Sequence, residues 1–226
     1  MKKWENLPKE LQIEEVREYY DALQLHKGGL LAKRIFDIIM SSILLVFVSP
    51  ILLVLGVLIK LDSPGPVMFR QVRVTTYGKE FHIFKFRTMV NHADKMGSQV
   101  TTKGDARVTR MGKLLRGCRL DELPQLVNIL KGEMTFVGTR PEVPKYVQCY
   151  TDEMKATLLL PAGVTSRASI EYKDEERLLE NAENADEVYI RQVLPKKMKY
   201  NLEAIKKFSF LEDIKTMFAT VIAVIK

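Results

Sequence analysis

The chain has 226 residues, of which 46% are hydrophobic and 28% charged, a composition that allows a substantial core and excludes a disordered protein. Its net charge of +7 favours anionic partners such as phosphates, nucleic acid or an acidic membrane face. Two cysteines without C-x-x-C spacing and three scattered histidines argue against a disulfide framework and against a zinc site.

The first predicted element is an amphipathic helix in "PKELQIEEVREYYDALQ", which ends at "KGG". Apolar side chains recur on one side of it at helical spacing: Ile13, Val16, Tyr20 and Leu23. We expect this helix to pack on the surface of a domain or of a membrane. We divide the chain into an N-terminal helix and linker (1–30), a segment that contains the apolar run described next (31–62) and a domain that ends in a C-terminal amphipathic helix (63–226).

The strongest single signal is an apolar run from Ile38 to Ile59, which holds 22 residues without a charge. At 1.5 Å per residue this is about 33 Å of helix, enough for the hydrocarbon core of a bilayer. The run begins well inside the chain and has no clear small-x-small cleavage site after it, so a signal peptide is not favoured. The sequence predicts a membrane segment.

Ser49 and Pro50 lie at the middle of this run. Proline cannot donate a hydrogen bond to the carbonyl of Val46, so we expect a kink, with the hydroxyls of Ser49, Ser41 and Ser42 partly re-satisfying freed backbone groups. Cations flank both ends of the run: Lys27, Lys33 and Arg34 before it, and Lys60, Arg70 and Arg73 after it. The positive-inside rule then places both ends in the cytoplasm. A re-entrant helix satisfies both observations, and a straight single span is the alternative.

A β-hairpin is predicted next, because "GPVMFRQVRV" and "KEFHIFKFRTM" are joined by "TTYG". With a period of two, His82, Phe84 and Phe86 share one face, which we expect to be the core face. Lys85 and Arg87 then lie on the other face, where two cations could bind a phosphate. A solvated strand edge explains the two cations equally well.

Two adjacent acids, Asp121 and Glu122, stand in "RGCRLDELPQLVNILKGEMTFVGTRPE", residues 116–142. An ordinary helix start explains them: Asp121 as the N-cap, Glu122 near the positive end of the dipole, and Pro124 in the first turn. The apolar positions of the helix are Leu123, Leu126, Val127 and Leu130. Gly132 suits the end of the helix. Spacing alone favours this structural interpretation over a catalytic one.

The last predicted element is a helix in "SFLEDIKTMFATVIAVIK", residues 209–226, where Ser209 and Glu212 form a capping box. One face is apolar: Leu211, Ile214, Phe218, Val221, Ile222 and Ile225. We interpret it as an interfacial amphipathic helix, and a core helix of the domain is the alternative. The predicted fold class is α+β: a mostly helical, membrane-associated domain with a kinked re-entrant N-terminal helix, a small β-hairpin and interfacial amphipathic helices.

Three stretches together resemble the bacterial sugar transferases, the monotopic phosphoglycosyl transferases: "FRQVRVTTYGKEFHIFKFRTM", "DARVTRMGKLLRGCRLDELPQLVNILKGEMTFVGTRPE" and "PAGVT". With the apolar segment, the resemblance covers roughly residues 30–170 in order. It implies transfer of a sugar phosphate from a nucleotide sugar to a polyprenol phosphate at the cytoplasmic face of the inner membrane, as the first membrane step of glycan assembly. It also implies a re-entrant anchor broken at Ser49-Pro50.

The resemblance assigns roles to the acid pair. It makes Asp121 the nucleophile that forms a covalent phosphosugar intermediate, and it makes Glu122 the ligand of a magnesium ion, Mg²⁺. A carboxylate can form an acyl phosphate, and a hard cation can neutralise a diphosphate. Other residues match positions expected to bind substrate: Lys60 at the mouth of the site, Arg116 and Arg140 near the phosphates and, more weakly because packing explains them as well, Lys85, Gln125 and Asn128.

The partners implied by the resemblance are a nucleotide sugar with uridine as its nucleotide, a polyprenol phosphate and membrane lipids. Nucleic acid is not expected, since no nucleic-acid-binding signature appears. The oligomeric state is open, a homodimer included. The family usually carries Gly-Pro-Arg-Pro where this chain has Gly138-Thr139-Arg140-Pro141, so we expect a less rigid loop. We also expect a small, single-domain form of the family.

Other classes of function remain open from the sequence. A membrane-tethered module that binds nucleotide sugars or acidic lipids without turnover would share the basic charge and the anchor, but it would have no need of Asp121. A multi-span transferase would need more apolar segments. No side chain identifies the sugar; residues 166–195, which follow "PAGVT", are where we expect sugar selection.

Overall fold

The computed structural model describes residues 1–93, 96, 105–172 and 184–225. Part of the stretch expected to select the sugar, residues 173–183, lies outside the described residues. The fold is α+β and mostly helical, as predicted, with two small sheets. One is the hairpin, and the other is a parallel pair of strands that the sequence did not predict.

The helices and strands are numbered in chain order. The α-helices are α1 (Glu14–Gln24), α2 (Lys27–Asp62), α3 (Arg110–Gly117), α4 (Gln125–Lys131), α5 (Pro144–Val147), α6 (Arg167–Glu171), α7 (Ala185–Val188), α8 (Leu194–Lys206) and α9 (Phe210–Ile225). The strands are β1 (Met68–Val74), β2 (Glu80–Phe86), β3 (Met134–Val137) and β4 (Ala162–Thr165).

The predicted hairpin is confirmed: β1 and β2 pair antiparallel, with Met68 opposite Phe86. The predicted core face of β2 is wrong for most of the strand, because Phe81 and Ile83 are buried while His82 is exposed; Phe86, at the end of the strand, is buried as predicted. Lys85 therefore lies on the same face as the two buried residues and points inward. The error arose from treating a lysine as an outward residue, whereas a buried carboxylate can hold it on the core face.

The parallel pair β3–β4 brings two loops into close contact through glycines. Gly163 lies so near the backbone of Gly138 that an added Cβ would stand 2.2 Å from it, so neither position has room for a side chain. Gly138 N–H donates to the Thr165 carbonyl at 2.9 Å, and Gly163 N–H donates to the Thr139 carbonyl at 2.8 Å. These bonds fix the start of the loop that carries Arg140.

Helix α1 packs on the domain, with its apolar side in a shared core. The buried members of this core are Leu7, Leu11, Val16, Tyr19, Tyr20, Leu23, Ala156, Leu159, Leu202, Ile205 and Phe208. Residues on both sides of α2 in the sequence thus contribute to one cluster, which ties the N-terminal stretch to α8. For a helix as short as α1, this tertiary packing contributes more to stability than helix propensity does.

Helix α2 contacts the domain along most of its length. Its first half presents Leu44, Leu45 and Val48 to a core formed by the hairpin, α4, β3 and β4. Its second half presents Leu55 and Ile59 to a second core, which is formed with β2 and α3. Both ends of the apolar helix are therefore held by the same domain.

Polar bonds lock the first half of α2 in place. We call Lys33, Asp37, Thr135 and Asp213 the anchor cluster, since they join α2 to β3 and α9. The Lys33 ammonium donates to Asp213 at 2.5 Å and to the Val137 carbonyl at 2.7 Å. Thr135 Oγ1 donates to the Asp37 carboxylate at 2.7 Å. Lys33 therefore forms bonds inside the fold. From the sequence it was expected only to be one of the charges that flank the apolar run.

The other faces of α2 and α9 expose apolar side chains. Among the described residues, α2 alone is long and apolar enough to cross a membrane. Its most exposed apolar side chains are Leu31, Val46, Phe47, Leu53 and Leu61. On α9 they are Leu211, Phe218, Val221 and Ile222, so the apolar face of that helix points away from the domain. The core-helix alternative for α9 is not supported.

Pro50 lies inside α2, which runs as one helix from Lys27 to Asp62. The Ser49 hydroxyl donates to the Val46 carbonyl at 2.9 Å, as the sequence predicts for the acceptor that Pro50 leaves without a backbone partner. A serine at this place therefore lowers the cost of the proline within an apolar helix. The kink and the re-entrant path stay predictions.

Candidate active site

The acid pair lies in a single 3-10 turn, Leu120–Glu122, between α3 and α4. Arg119, just before the turn, has φ of 56°, a left-handed conformation that redirects the chain after α3. The predicted N-cap is not formed, because α4 begins after Pro124 and no side chain caps it. The helix end at Gly132, which has φ of 81°, is as predicted. Helix capping therefore does not explain the two acids.

Glu122 is held by two cations. Its Oε1 accepts from Lys85 Nζ at 2.8 Å and from the Arg140 guanidinium at 2.5 Å. Burial alone would raise the pKa of Glu122, but the charges of Arg140 and Lys85 outweigh it and hold that pKa well below its usual range. Glu122 is therefore a carboxylate at neutral pH. The structure brings together three of the predicted site residues here.

Asp121 has a different environment, although it is the next residue. It is 7% exposed, and within the described part of the chain no donor is hydrogen-bonded to its carboxylate. Burial raises the pKa of Asp121, while the charges of Lys85, Arg116 and Arg140 oppose the rise. A carboxylate without hydrogen bonds keeps its lone pairs available, which is what a nucleophile requires.

The loop that carries Arg140 is fixed from behind by a buried cluster that the sequence analysis missed. Glu142 accepts a short hydrogen bond from the Tyr189 hydroxyl, and Lys197 Nζ donates to the same hydroxyl at 3.2 Å. Arg73 donates to the Pro141 carbonyl at 3.0 Å. Several hydrogen bonds therefore hold the loop that contains Thr139. The sequence signal that could have indicated this cluster is Glu142, the acid that follows Arg140-Pro141 in "TRPE".

Of the two predicted substrate-binding residues on α4, Asn128 joins the helix to the hairpin. Asn128 Oδ1 accepts from the Phe84 N–H at 2.9 Å, and its Nδ2 donates to the His82 carbonyl at 2.9 Å. Gln125 is 1% exposed, and its Nε2 is buried without a hydrogen-bond partner among the residues that the structure describes. The packing alternative thus fits Asn128, whose side chain is fully used by the fold.

Arg87 does not join the acid pair. Its guanidinium donates to the carbonyls of Pro64 at 2.5 Å and Ser63 at 2.7 Å, at the C-terminal end of α2. It is 4% exposed, so a phosphate could reach it only by displacing these bonds. The predicted cationic face of Lys85 and Arg87 is therefore wrong, because the alternation of β2 ends before Arg87, which turns to the helix end.

Lys60 lies apart from the acid pair, on the surface of α2. Its ammonium donates to the Gly65 carbonyl at 3.1 Å. It borders an open, mostly apolar groove of about 460 Å³ lined by Leu53, Gly56, Val57, Lys60, Leu61 and Val67. The structure thus places Lys60 where an apolar surface meets a cation, and it shows no contact between Lys60 and the acid pair.

The acid pair suits a magnesium ion only with further oxygen ligands. The described residues contain no group of three or more acidic, histidine or cysteine side chains that could enclose a metal. Mg²⁺ is commonly bound through one or two carboxylates, with substrate phosphates and waters supplying the remaining oxygens. A hard carboxylate fits that pattern, so Glu122 is the side chain that would hold the ion.

Comparison with known proteins gives a consistent result. A model of the family described as bacterial sugar transferase matches residues 29–226. The chain is 37% identical over 192 residues to the UDP-N-acetylgalactosamine-undecaprenyl-phosphate N-acetylgalactosaminephosphotransferase of Aeromonas hydrophila, which covers 84% of this chain and 42% of that protein. It is 39% identical over 195 residues to the UDP-glucose:undecaprenyl-phosphate glucose-1-phosphate transferase of Klebsiella pneumoniae, which covers 84% of this chain and 39% of that protein.

A shorter relative matches over most of its length. The putative undecaprenyl-phosphate N-acetylgalactosaminyl 1-phosphate transferase of Bacillus subtilis is 38% identical over 150 residues, which are 66% of this chain and 83% of that protein. The chain spans about two fifths of the length of the Aeromonas and Klebsiella relatives.

Proposed function

The chain belongs to the bacterial sugar transferase family, and from this membership we propose that it is a phosphoglycosyl transferase. It moves a sugar 1-phosphate from a UDP-sugar to undecaprenyl phosphate. These two substrates appear in the names of its relatives. One observation carries the proposal: Asp121 is a buried carboxylate free of hydrogen bonds to the described residues, next in the chain to Glu122, which binds Lys85 and Arg140. Chemistry of this kind needs a nucleophile and a means to neutralise a diphosphate.

In the first step an Asp121 carboxylate oxygen attacks the β-phosphorus of the nucleotide sugar. The bond from that phosphorus to the bridging oxygen breaks, and uridine monophosphate leaves with the bridging oxygen and its electron pair. The sugar phosphate stays on Asp121 as a mixed acyl phosphate. In the second step a phosphate oxygen of undecaprenyl phosphate attacks the same phosphorus, the acyl oxygen–phosphorus bond breaks, and the Asp121 carboxylate is restored.

The cations of the site support this reaction electrostatically. Arg140 and Arg116 carry planar guanidinium groups suited to phosphate oxygens, and Lys85 adds a charge inside the site. Their charges face Asp121 in the free protein, where they favour its ionised form against the effect of burial. Magnesium, when bound, supplies positive charge to the diphosphate and lowers the cost of expelling the nucleotide.

We propose that α2 enters and leaves the membrane on one face, at the cytoplasmic side of the inner membrane. The 36 residues of α2 would measure about 54 Å as a straight helix, against about 30 Å for a hydrocarbon core. Contacts with one domain near Lys33 and again near Ile59 support a path that returns to the same side. The exposed apolar face of α9 supports an interfacial position beside it.

The competing candidate is a tethered module that binds nucleotide sugars without turnover. It would keep the cations and the anchor but would gain nothing from a carboxylate nucleophile. The decisive measurement is release of uridine monophosphate from a panel of UDP-sugars by the purified chain with undecaprenyl phosphate in detergent micelles. Release only when both substrates are present, or a single burst without the acceptor, supports the transferase. Binding of UDP-sugars without any release would contradict it.

A further inference from the structure

The chain on the C-terminal side of Arg140 is bonded to strand β1. The Pro141 carbonyl accepts from the Arg73 guanidinium at 3.0 Å, and the Glu142 carbonyl accepts from the Val74 N–H at 3.0 Å. These bonds fix the path of the backbone after Arg140. The side chain of Glu142 adds a further bond from another part of the fold, the segment between α7 and α8.

The side chain of Glu142 is buried in what we call the support cluster: Glu142, Tyr189 and Lys197, which are 6%, 3% and 5% exposed. The Tyr189 hydroxyl donates to Glu142 Oε1, and Lys197 Nζ lies 3.2 Å from that hydroxyl and 3.9 Å from Glu142 Oε1. Buried polar groups that are bonded to one another in this way resist rearrangement. The support cluster therefore joins the residue two positions after Arg140 to a buried tyrosine.

A wide helical turn brings Tyr189 and Lys197 to the same side. Residues Tyr189–Val193 form a π-helical turn in which the Leu194 N–H donates to the Tyr189 carbonyl. Side chains eight residues apart in a regular α-helix point about 80° away from each other, and a turn that absorbs one extra residue reduces this angle to about 20°. Turns of this kind are rare and often occur at functional sites. Here the turn lets both side chains reach Glu142.

Arg140 lies at the open side of the acid-pair site. Its guanidinium donates to Glu122 Oε1, and its side chain is 31% exposed, against 11% for Glu122 and 20% for Lys85. An arriving diphosphate can therefore contact this guanidinium, whose planar donors suit phosphate oxygens. Such a group must be held accurately, since a displacement of about 1 Å can lower a rate by about 100-fold.

We propose that Tyr189 is a positioning residue for the transfer reaction: its bond to Glu142 holds the Arg140 segment so that the guanidinium meets the diphosphate of the nucleotide. The inference rests on the proposed function, which assigns the diphosphate to this site. Tyr189 acts through Glu142 and does not itself contact the substrate. The hydroxyl of Tyr189, more than its ring, is the part on which binding of the diphosphate depends.

Tyr146 provides a matched control for Tyr189. Both tyrosines are buried in the same apolar cluster, with ring centroids 4.9 Å apart. The Tyr146 hydroxyl donates to Asp186 of α7 at 2.7 Å instead of to Glu142. Replacing either tyrosine with phenylalanine removes one hydroxyl and keeps the ring. The two variants therefore differ in which carboxylate loses a donor.

The test uses the full chain in detergent, with UDP as the diphosphate probe and Mg²⁺ in excess. UDP affinity is measured by calorimetry, and thermal melting shows whether each variant folds. We expect Tyr189→Phe to weaken UDP binding by about tenfold, a value typical of one hydrogen bond to a charged group. Tyr146→Phe should bind UDP as the wild type does. Glu142→Gln replaces a charged acceptor with a neutral one of the same size and should weaken UDP binding by a smaller factor.

A double variant shows whether Tyr189 acts through Arg140. Arg140→Gln should weaken UDP binding by at least as much as Tyr189→Phe, because it removes the guanidinium itself. If Tyr189 positions Arg140, the double variant Tyr189→Phe/Arg140→Gln should bind UDP no more weakly than Arg140→Gln alone. A merely structural tyrosine would add its own loss. The same comparison is made with Glu142→Gln, which decides the question if Tyr189→Phe does not fold.

Equal UDP affinity in Tyr189→Phe, Tyr146→Phe and the wild type would overturn the positioning role, and so would additive losses in the double variant. Release of uridine monophosphate is measured on the same preparations, which separates the two proposals. Turnover by the wild type with equal UDP affinity in both tyrosine variants overturns the positioning role alone. A selective, non-additive loss of UDP affinity without turnover by the wild type supports the positioning role and returns the chain to the tethered binding module.

Discussion

Two ionic clusters are buried in the domain, and they differ in how completely they are bonded. In the anchor cluster each charged group has a bonded partner: Lys33 binds Asp213 and a carbonyl, and Asp37 accepts from Thr135 and from the Phe136 N–H at 3.2 Å. In the acid-pair site Glu122 is bonded twice, whereas Asp121 accepts no hydrogen bond from the described residues.

The difference distinguishes charged residues that stabilise the fold from charged residues that take part in the proposed reaction. A buried ion whose bonds are all made stabilises one arrangement and resists change. A buried carboxylate without hydrogen-bond donors is destabilised in its ionised form, and it can gain by forming a bond to phosphorus. Incomplete bonding therefore marks Asp121 more sharply than its burial does.

The largest expected effect is on turnover in Asp121→Asn. An amide cannot form the acyl phosphate, so release of uridine monophosphate should fall by at least about 10⁴-fold, more than about 5 kcal/mol of barrier. The melting temperature at neutral pH should equal or exceed that of the wild type, since burial of an unbonded charge is removed. Near-normal turnover would show that the acid pair is a structural turn only.

Mass spectrometry sharpens the same comparison. After a UDP-sugar is added without acceptor, the peptide that carries Asp121 should gain the mass of one sugar phosphate in the wild type and no mass in Asp121→Asn. Brief quenching at low pH should preserve the acyl phosphate for detection. A sugar phosphate found on Asp37 or on any residue of the anchor cluster would reverse the assignment of the two clusters.

The next effect is on stability in Lys33→Met. The substitution leaves Asp213 without the cation that binds it, and loss of one partner of a buried pair costs about 3–5 kcal/mol. Each kcal/mol corresponds to roughly 2–4 °C of melting temperature in a chain of this size. The matched control is Lys215→Met on the same α9, whose ion pair with Glu212 is exposed. Equal melting temperatures for the two variants would refute the anchoring role.

Glu122→Gln should affect both properties. Turnover should fall by about 100-fold or more, because the proposed metal ligand is lost, and stability should fall by about 2 kcal/mol, less than for a fully buried pair. The pKa of Glu122 is depressed in the folded state, so its stabilisation is present above about pH 4.3 and is lost as the pH falls. The difference in melting temperature between variant and wild type should shrink in acid, and a constant difference would contradict the ion pairs.

The smallest effect is expected in Thr135→Val, which removes one of the hydrogen bonds to Asp37 and keeps the shape of the side chain. Because Phe136 N–H still bonds the carboxylate, the cost should be about 1–2 kcal/mol by chemical denaturation. Thr216→Val, which removes an exposed hydroxyl bond on α9, is the control and should cost less. A cost as large as that of Lys33→Met would mean that Thr135 has a further role in the cluster.

Patterns local in sequence predicted local structure well. The hairpin, the glycine end of α4 and the bond from Ser49 to the Val46 carbonyl depend on neighbouring residues, so spacing and chemistry were enough. The parallel pairing of β3 and β4 was missed, because each strand has four residues and a long stretch of chain separates them. Nothing in either short apolar stretch specifies its partner.

The sequence predicted which residues belong to the site better than it predicted how those residues are arranged. Resemblance selected Asp121, Glu122 and Arg140, but polarity placed Lys85 on an outward face and grouped it with Arg87. Burial of Lys85 depends on Glu122, which is 37 residues away, and a period of two cannot detect such a pair. Lys33 was likewise counted as a topology signal, although its partner Asp213 lies 180 residues away.

The contacts of α2 have a practical consequence for isolating this protein. Leu44, Leu45 and Val48 pack against one core of the domain, and Leu55 and Ile59 belong to another. A fragment that begins at residue 63 would expose both cores to water. It would also lack Lys33, the partner of Asp213. Cutting away the apolar helix should therefore give an aggregating remnant in place of a water-soluble catalytic fragment, and only amphiphile-solubilised full-length material should retain a folded site.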